Sequence, residues 1–159
     1  MTSYKDKEFL QQAIGLAKQG IEEGVGGPFG CIIVKDGQVV GKGSNLVTST
    51  NDPTAHAEVV AIRDACRHLG NYQLTDCDVY TSCEPCPMCL AAIYWARIDR
   101  YYYGCTAAEA AAIGFSDEQI RRQLALPLDL RSVAAVQFLP AEAMAAFAAW
   151  NAKADRVPY

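Results

Sequence analysis

Two stretches, His56-Ala57-Glu58 and Pro85-Cys86-Pro87-Met88-Cys89, bring together one imidazole, two thiols and one carboxylate. Imidazole nitrogen and thiolate sulfur are common ligands of Zn²⁺ in proteins. Three protein ligands, His56, Cys86 and Cys89, would leave the fourth tetrahedral position for water, which is typical of a catalytic zinc site. The sequence therefore predicts one Zn²⁺ per subunit, with Glu58 beside it as a carboxylate that does not bind the metal.

Cys83 is a competing ligand, because Cys83-Glu84-Pro85-Cys86 is a second CxxC that overlaps the first. Proline is favoured at the first position of a helix, so we expect a helix that begins at Pro85. Cys86 and Cys89 would then lie one turn apart near a helix N-terminus, which favours thiolate over thiol. Cys83 is expected to end the preceding strand. A redox pair or a zinc ribbon is a weaker interpretation, since the ribbon needs a second, separate CxxC.

His56 and Glu58 are two residues apart, and residues with this spacing do not face each other on an ideal helix. The difficulty is smaller near a helix start, where Glu58 could point toward the metal while His56 binds it. Asp52-Pro53-Thr54 is typical of a capping residue followed by a proline at the first helical position. We therefore expect the helix to begin at this segment.

The predicted elements are a helix, a hairpin, and then helices that alternate with strands. An apolar stripe predicts a helix over residues 5–23, and Asp36-Gly37 predicts the hairpin turn. Strands are predicted at 31–34, 38–40, 78–81, 100–105 and 133–139, and helices at 85–96, 118–124 and 141–153. Residues 51–69 are predicted to form a loop followed by a helix. This order predicts an α/β fold, a three-layer α/β/α domain over residues 1–159 with a mixed five-stranded sheet.

Composition restricts the possible partners. The chain has 14 Lys+Arg and 18 Asp+Glu, a formal net charge of −4, so it lacks the basic excess of a protein that binds a phosphate backbone. Nucleic acid is therefore an unlikely substrate on charge grounds. No signal peptide and no apolar run long enough to span a membrane are evident, which predicts a cytoplasmic protein with reduced cysteines and no membrane association.

The H-x-E and P-C-x-x-C pair matches the signature of the zinc-dependent base deaminases. Longer segments resemble the bacterial guanine deaminases of the cytidine deaminase-like superfamily, and the similarity covers essentially the whole chain. The segments are Gly26-Gly27-Pro28-Phe29-Gly30, Asn45, residues 51–58, residues 80–89, residues 93–97, Gly114-Phe115, Asp117 and Tyr159. The resemblance implies zinc-dependent hydrolytic deamination of guanine to xanthine and ammonia, with a nucleobase as the small-molecule substrate.

The resemblance also implies roles for individual residues. Glu58 would move protons during the reaction, and Asp117 would contact the ring or relay a proton. The other implied substrate contacts are Phe29, Asn45, Ala57, Trp95, Phe115 and Tyr159. Four of them have a simpler interpretation. Phe29 could be strand core, Trp95 core of the helix that carries the cysteines, and Asn45 a hydrogen bonder at a strand end. Asp117 could be a cap for the helix at 118–124.

Members of this family form domain-swapped dimers, so the resemblance implies a homodimer in which Phe115, Asp117 and Tyr159 complete the partner's site. A tRNA adenosine deaminase or a cytosine or cytidine deaminase is the main alternative, because the zinc motif is shared across the superfamily. A zinc-binding relative without catalytic activity is a further alternative. Glu58 argues against it, since such a protein does not need an unliganded carboxylate beside the metal.

Overall fold

The computed structural model describes residues 3–158. The chain divides into two compact units: the first ends at Arg121 and the second begins at Arg122. No helix among the described residues is long and apolar enough to cross a bilayer.

The first unit contains a mixed four-stranded sheet. Its strands are β1 (Gly30–Lys35), β2 (Gln38–Ser44), β3 (Cys77–Cys83) and β4 (Arg100–Cys105), in the order β2-β1-β3-β4. Strand β1 is antiparallel to both neighbours, and β4 is parallel to β3. Asp36 and Gly37 connect β1 to β2 with positive φ angles of 50° and 73°, which confirms the predicted hairpin.

Residues 3–158 also form seven α-helices. They are α1 (Tyr4–Glu22), α2 (Val47–Thr50), α3 (Ala57–Leu69), α4 (Pro87–Trp95), α5 (Ala107–Ala112), α6 (Glu118–Leu124) and α7 (Pro140–Ala152). Ser3 caps α1 through a reciprocal hydrogen-bonding pattern with Asp6, and Gly70 ends α3 with a φ of 63°.

Helices pack on both faces of the sheet because successive strand residues point to opposite sides. Ile32 and Tyr80 lie in a cluster with Ala13 of α1. Cys31, Ile33 and Val79 point the other way and pack with residues of α3 and α4. The α/β class and the mixed sheet are therefore confirmed.

Helix α3 approaches β2 closely because two glycines of the strand face it. A Cβ atom at Gly43 would lie 2.3 Å from the carbonyl oxygen of Ala57, and one at Gly41 would lie 2.5 Å from that of Ala61. Any larger residue would move the first turn of α3 away from the sheet. Gly43 therefore helps to determine where His56 and Glu58 lie.

The prediction of a fifth strand at 133–139 is wrong. The segment forms no strand, and the sheet has four strands among the described residues. Val133, Val136 and Phe138 have β-forming character, yet each is at least 80% exposed. A strand exists only where another strand pairs its N–H and C=O groups, and residue preferences do not specify that partner.

Candidate active site

The first turn of α3 positions His56 and Glu58. The helix begins at Ala57 with His56 as its N-cap, not at the Asp52-Pro53-Thr54 segment that the sequence suggested. That segment instead forms a turn in which Asp52 Oδ1 accepts a hydrogen bond of 2.8 Å from the Thr54 amide. His56 has extended backbone while Glu58 is helical, so the two side chains can converge although they are two residues apart.

The first turn of α4 positions the two cysteines. Pro87, not Pro85, occupies the first helical turn, and Cys86 is the N-cap. Cys89 then lies one turn further along, where it is fully buried. Cys83 ends β3 as predicted, and its Sγ contacts the carbonyl oxygen of Thr106 at 3.7 Å.

His56, Cys86 and Cys89 form a group whose ligand atoms lie within 4.8 Å of one another. The His56 Nδ1 atom is 3.6 Å from Cys86 Sγ and 3.5 Å from Cys89 Sγ. A tetrahedral Zn²⁺ with ordinary Zn–S and Zn–N bonds separates a sulfur from a nitrogen ligand by about 3.6 Å. Both nitrogen–sulfur distances therefore match those of a tetrahedral zinc site.

The two cysteines of the group differ in pKa: the hydrogen bond with Cys86, burial and the nearby Glu58 raise the pKa of the Cys89 thiol. A hydrogen bond with Cys89 and the neighbouring His56 lower the pKa of the Cys86 thiol to about 4, although burial opposes this shift. The hydrogen bond with Cys86 raises the pKa of His56. Zn²⁺ binds thiolate and not thiol, so a cysteine that is ionised at neutral pH is suited to be a ligand.

Glu58 is 6% exposed and lies beside this group. Its Oε2 atom is 3.3 Å from Cys89 Sγ, and its Oε1 atom accepts a hydrogen bond of 3.4 Å from the Thr81 hydroxyl. Burial raises the pKa of the Glu58 carboxyl above its ordinary value. A raised pKa makes this carboxylate a stronger base than an ordinary glutamate, which suits it to accept a proton and return it.

A cavity of about 620 Å³ opens beside His56, Glu58 and Cys86. Asn45 lines it and is 6% exposed. Its Oδ1 accepts hydrogen bonds of 3.2 Å from the amides of Gly27 and Val47. Both bonds go to the oxygen, so the Nδ2 donors have no partner among the described residues and are available to a ligand.

Phe29, Phe115 and Asp117 also line the cavity. The rings of Phe29 and Phe115 pack edge to face with their centroids 5.0 Å apart. Asp117 Oδ2 accepts from Arg121, whereas the Glu118 amide donates to Ser116 Oγ. Four of the residues expected to contact substrate, Phe29, Asn45, Phe115 and Asp117, thus meet at one cavity with Glu58.

Among the described residues, two other expected substrate contacts are not in this group. Ala57 is fully buried and does not line the cavity, and Trp95 is 64% exposed at the end of α4, also outside the cavity lining. Tyr159 lies outside the described residues. Their roles stay predictions.

Sequence reasoning missed Thr81, Glu84 and Arg121. Thr81 is 1% exposed and faces Glu58, while Glu84 lines the cavity. Arg121 bonds to Asp117 of the cavity wall. The four-residue spacing of Asp117 and Arg121 was the only available signal.

Comparison with known proteins agrees with this geometry. The family described as the cytidine and deoxycytidylate deaminase zinc-binding region matches residues 3–105, which include all three candidate ligands and Glu58. The chain belongs to this deaminase family. A zinc-dependent hydrolytic enzyme is therefore the class of protein to which the site belongs.

Individual deaminases differ in how much of the chain they match. Guanine deaminase of Bacillus subtilis is 50% identical over 151 residues, which is 95% of this chain and 97% of that protein. The X-ray structure described as guanine deaminase from Bacillus subtilis superposes with a TM-score of 0.94 at 47% identity and covers 99% of both chains. A tRNA-specific adenosine deaminase of Aquifex aeolicus is 43% identical over 60% of this chain and 62% of its own length.

Proposed function

We propose that this deaminase converts guanine to xanthine and ammonia. The observation that supports guanine over other bases is the length of the similarity, since the guanine deaminase relative matches 95% of the chain and the tRNA deaminase relative only 60%. The residues beyond the shared zinc region include Phe115 and Asp117, both of which line the cavity.

The chemistry follows from the donor set. His56, Cys86 and Cys89 would hold Zn²⁺, which when bound supplies the Lewis acidity that makes water a nucleophile near neutral pH. Glu58 accepts a proton from the attacking water. It passes this proton to a ring nitrogen as the C–O bond forms at C2. It then accepts the remaining hydroxyl proton and passes it to the amino group, so that the C2–N bond breaks and ammonia leaves.

The cavity wall would bind the base. Asn45 offers two N–H donors whose direction is fixed because its oxygen already accepts from Gly27 and Val47. Phe29 and Phe115 provide aromatic surface for a flat ring. Asp117 Oδ1 has no donor among the described residues, so it can accept a hydrogen bond from an N–H group of the ring or exchange a proton with it.

The test is ammonia release by the purified zinc-loaded protein, with guanine, adenine, cytosine, cytidine and a tRNA supplied in parallel. Turnover of guanine with formation of xanthine is the expected result. Activity only on tRNA or on a pyrimidine would reject guanine and keep the zinc chemistry. Zinc-replete protein that is inactive on all five would favour a relative without this activity.

We further propose a homodimer in which the C-terminal unit is exchanged between subunits. In the first unit, β4 is an edge strand, with Tyr101 and Tyr103 exposed along it. In the second unit, residues 133–139 form no helix or strand, and no described residue of the unit is buried. Residues 133–139 of a second copy would pair as a strand with the edge of β4, so that both segments gain backbone hydrogen bonds. Tyr159 of that copy would complete the cavity.

Mixed dimers test this exchange. Glu58→Gln and a chain lacking Tyr159 are each expected to be nearly inactive. Refolded together, exchanged dimers would combine Glu58 of one chain with Tyr159 of the other and recover about a quarter of the wild-type rate. If each chain supplies its own Tyr159, the mixture stays inactive.

A cytoplasmic location is also part of the proposal. All seven cysteines are free in the structure, and two of them are the candidate zinc ligands. Free thiols persist in a reducing compartment, whereas secretion exposes them to oxidation.

A further inference from the structure

Arg121 contacts two parts of the active site at once. Its Nε donates a hydrogen bond of 2.9 Å to Asp117 Oδ2, and one terminal nitrogen lies 2.9 Å from the same oxygen. That terminal nitrogen also donates to the carbonyl oxygen of Pro85 at 3.2 Å and lies 3.7 Å from Glu84 Oε1. Arg121 therefore joins the cavity wall at Asp117 to the turn just before the zinc ligand Cys86.

The two nitrogens of Arg121 both meet the same carboxylate oxygen. Oδ2 of Asp117 is thereby occupied, while Oδ1 has no donor among the described residues. Since Asp117 lines the cavity and its side chain is only 17% exposed, the bond determines which oxygen a ligand meets. Rotation of the carboxylate would break both contacts with Arg121.

These contacts differ from those of an ordinary surface ion pair, which contributes little to the stability of a protein. Arg67 and Asp64, for example, are 3.5 Å apart with side chains 74% and 44% exposed. The Arg121 side chain is 38% exposed and has three partners from two segments of the chain. The planar guanidinium can contact all three because its donors have a fixed geometry.

Two contacts that do not involve Arg121 also hold the cavity wall near Asp117. Glu84 Oε2 accepts a hydrogen bond of 3.0 Å from the Ala107 amide, which ties the start of α5 to the end of β3. Phe115 packs on Phe29 two residues before Asp117. With these contacts in place, loss of Arg121 would release the Asp117 carboxylate without displacing the whole segment.

We propose that Arg121 is a positioning residue. It directs the Asp117 carboxylate toward the base and fixes its position relative to Pro85 and Cys86. This inference rests on the proposed function, because Asp117 must contact the base for its orientation to matter. Arg121 itself lies outside the cavity lining and need not touch the substrate.

The test is a double-mutant cycle on kcat/KM for guanine with Arg121→Met, Asp117→Asn and both together. Because small misplacements of a catalytic group are costly, we expect Arg121→Met to lower kcat/KM roughly tenfold to hundredfold. In the Asp117→Asn background the same change should cost no more than about threefold, since coupled residues are not additive. Arg121→Lys should recover part of the loss. Zinc content should stay at the wild-type level throughout.

Arg67→Met is the matched control, because it removes an arginine paired with an aspartate near the C-terminal end of α3, and neither residue lines the cavity. It should leave kcat/KM unchanged. Wild-type kcat/KM in Arg121→Met, or equal losses from Arg121→Met with and without Asp117, would overturn this inference alone. A zinc-loaded wild-type protein that does not deaminate guanine would overturn the proposed function and this inference with it.

Discussion

The two units of the chain differ in what each can bury. The first has a core on both faces of its sheet, and the elements that pack there position three candidate metal ligands and Glu58. The second has no buried residue among those described, although α7 bears Met144, Phe147 and Trp150. A metal-ligand set can thus form within one unit, whereas a helix with an uncovered apolar side requires another surface.

The largest expected effect comes from removing a candidate metal ligand in the first unit. Cys86→Ala should lose Zn²⁺ and all measurable deamination, because two remaining ligands are too few for a stable site. The oligomeric state should not change, since Cys86 is not part of the second unit. Zinc analysis and light scattering measure the two properties, with the exposed Cys105→Ala as control. Retained zinc in Cys86→Ala would disprove the ligand assignment.

The next prediction concerns α7 in the second unit, where a substitution should affect the oligomeric state and leave zinc bound. Phe147→Glu should convert the proposed dimer to a monomer and lower kcat/KM at least tenfold, while zinc stays bound to the first unit, because a buried charge at an interface is costly. Light scattering and zinc analysis on the same sample measure this. Ala145→Glu, on the opposite side of the helix, is the matched control. An intact dimer in Phe147→Glu would show that this side of α7 does not form the interface.

A smaller effect is expected on the α1 face of the first unit. Tyr80 donates a hydrogen bond of 2.6 Å to Asp6, which lowers the pKa of that carboxyl from its ordinary 3.8. Since the folded-state pKa is the lower one, the bond stabilises the fold above about pH 4 and is lost as pH falls through the folded-state pKa. Tyr80→Phe should lower the melting temperature by a few degrees at pH 7 and reduce its dependence on pH below 4.

Tyr80→Phe should leave kcat/KM unchanged, because the bond lies on the opposite face of the sheet from Glu58. Melting curves at several pH values and guanine kinetics on the same protein make the comparison. If Tyr80→Phe and the wild type lose stability in acid to the same extent, the hydrogen bond between Tyr80 and Asp6 is not the cause of that loss.

Local signals were sufficient to predict much of the first unit. The ligands and Glu58 follow from a short motif, and the hairpin follows from Asp36-Gly37, because these features depend on adjacent residues. The helix starts were misplaced because Pro53, Pro85 and Pro87 are all compatible with a first turn, and only tertiary packing selects among them. In α3 that packing is the close approach of Gly43 to Ala57.

Features that depend on distant or external partners were not predictable. The β-forming residues 133–139 specify a preference for a strand but not the strand with which they pair. The contact of Arg121 with the Pro85 carbonyl joins residues 36 apart, so no local pattern indicates it. The spacing of Asp117 and Arg121 predicts their ion pair but not its position at the cavity.

The most direct test of the central claim is xanthine and ammonia formation from guanine by wild-type protein and Glu58→Gln at equal zinc content. The account predicts turnover by the wild type and a roughly ten-thousandfold lower kcat in the variant, because one carboxyl group performs every proton transfer. Comparable rates in the two proteins, or no turnover of guanine by the zinc-loaded wild type, would contradict it.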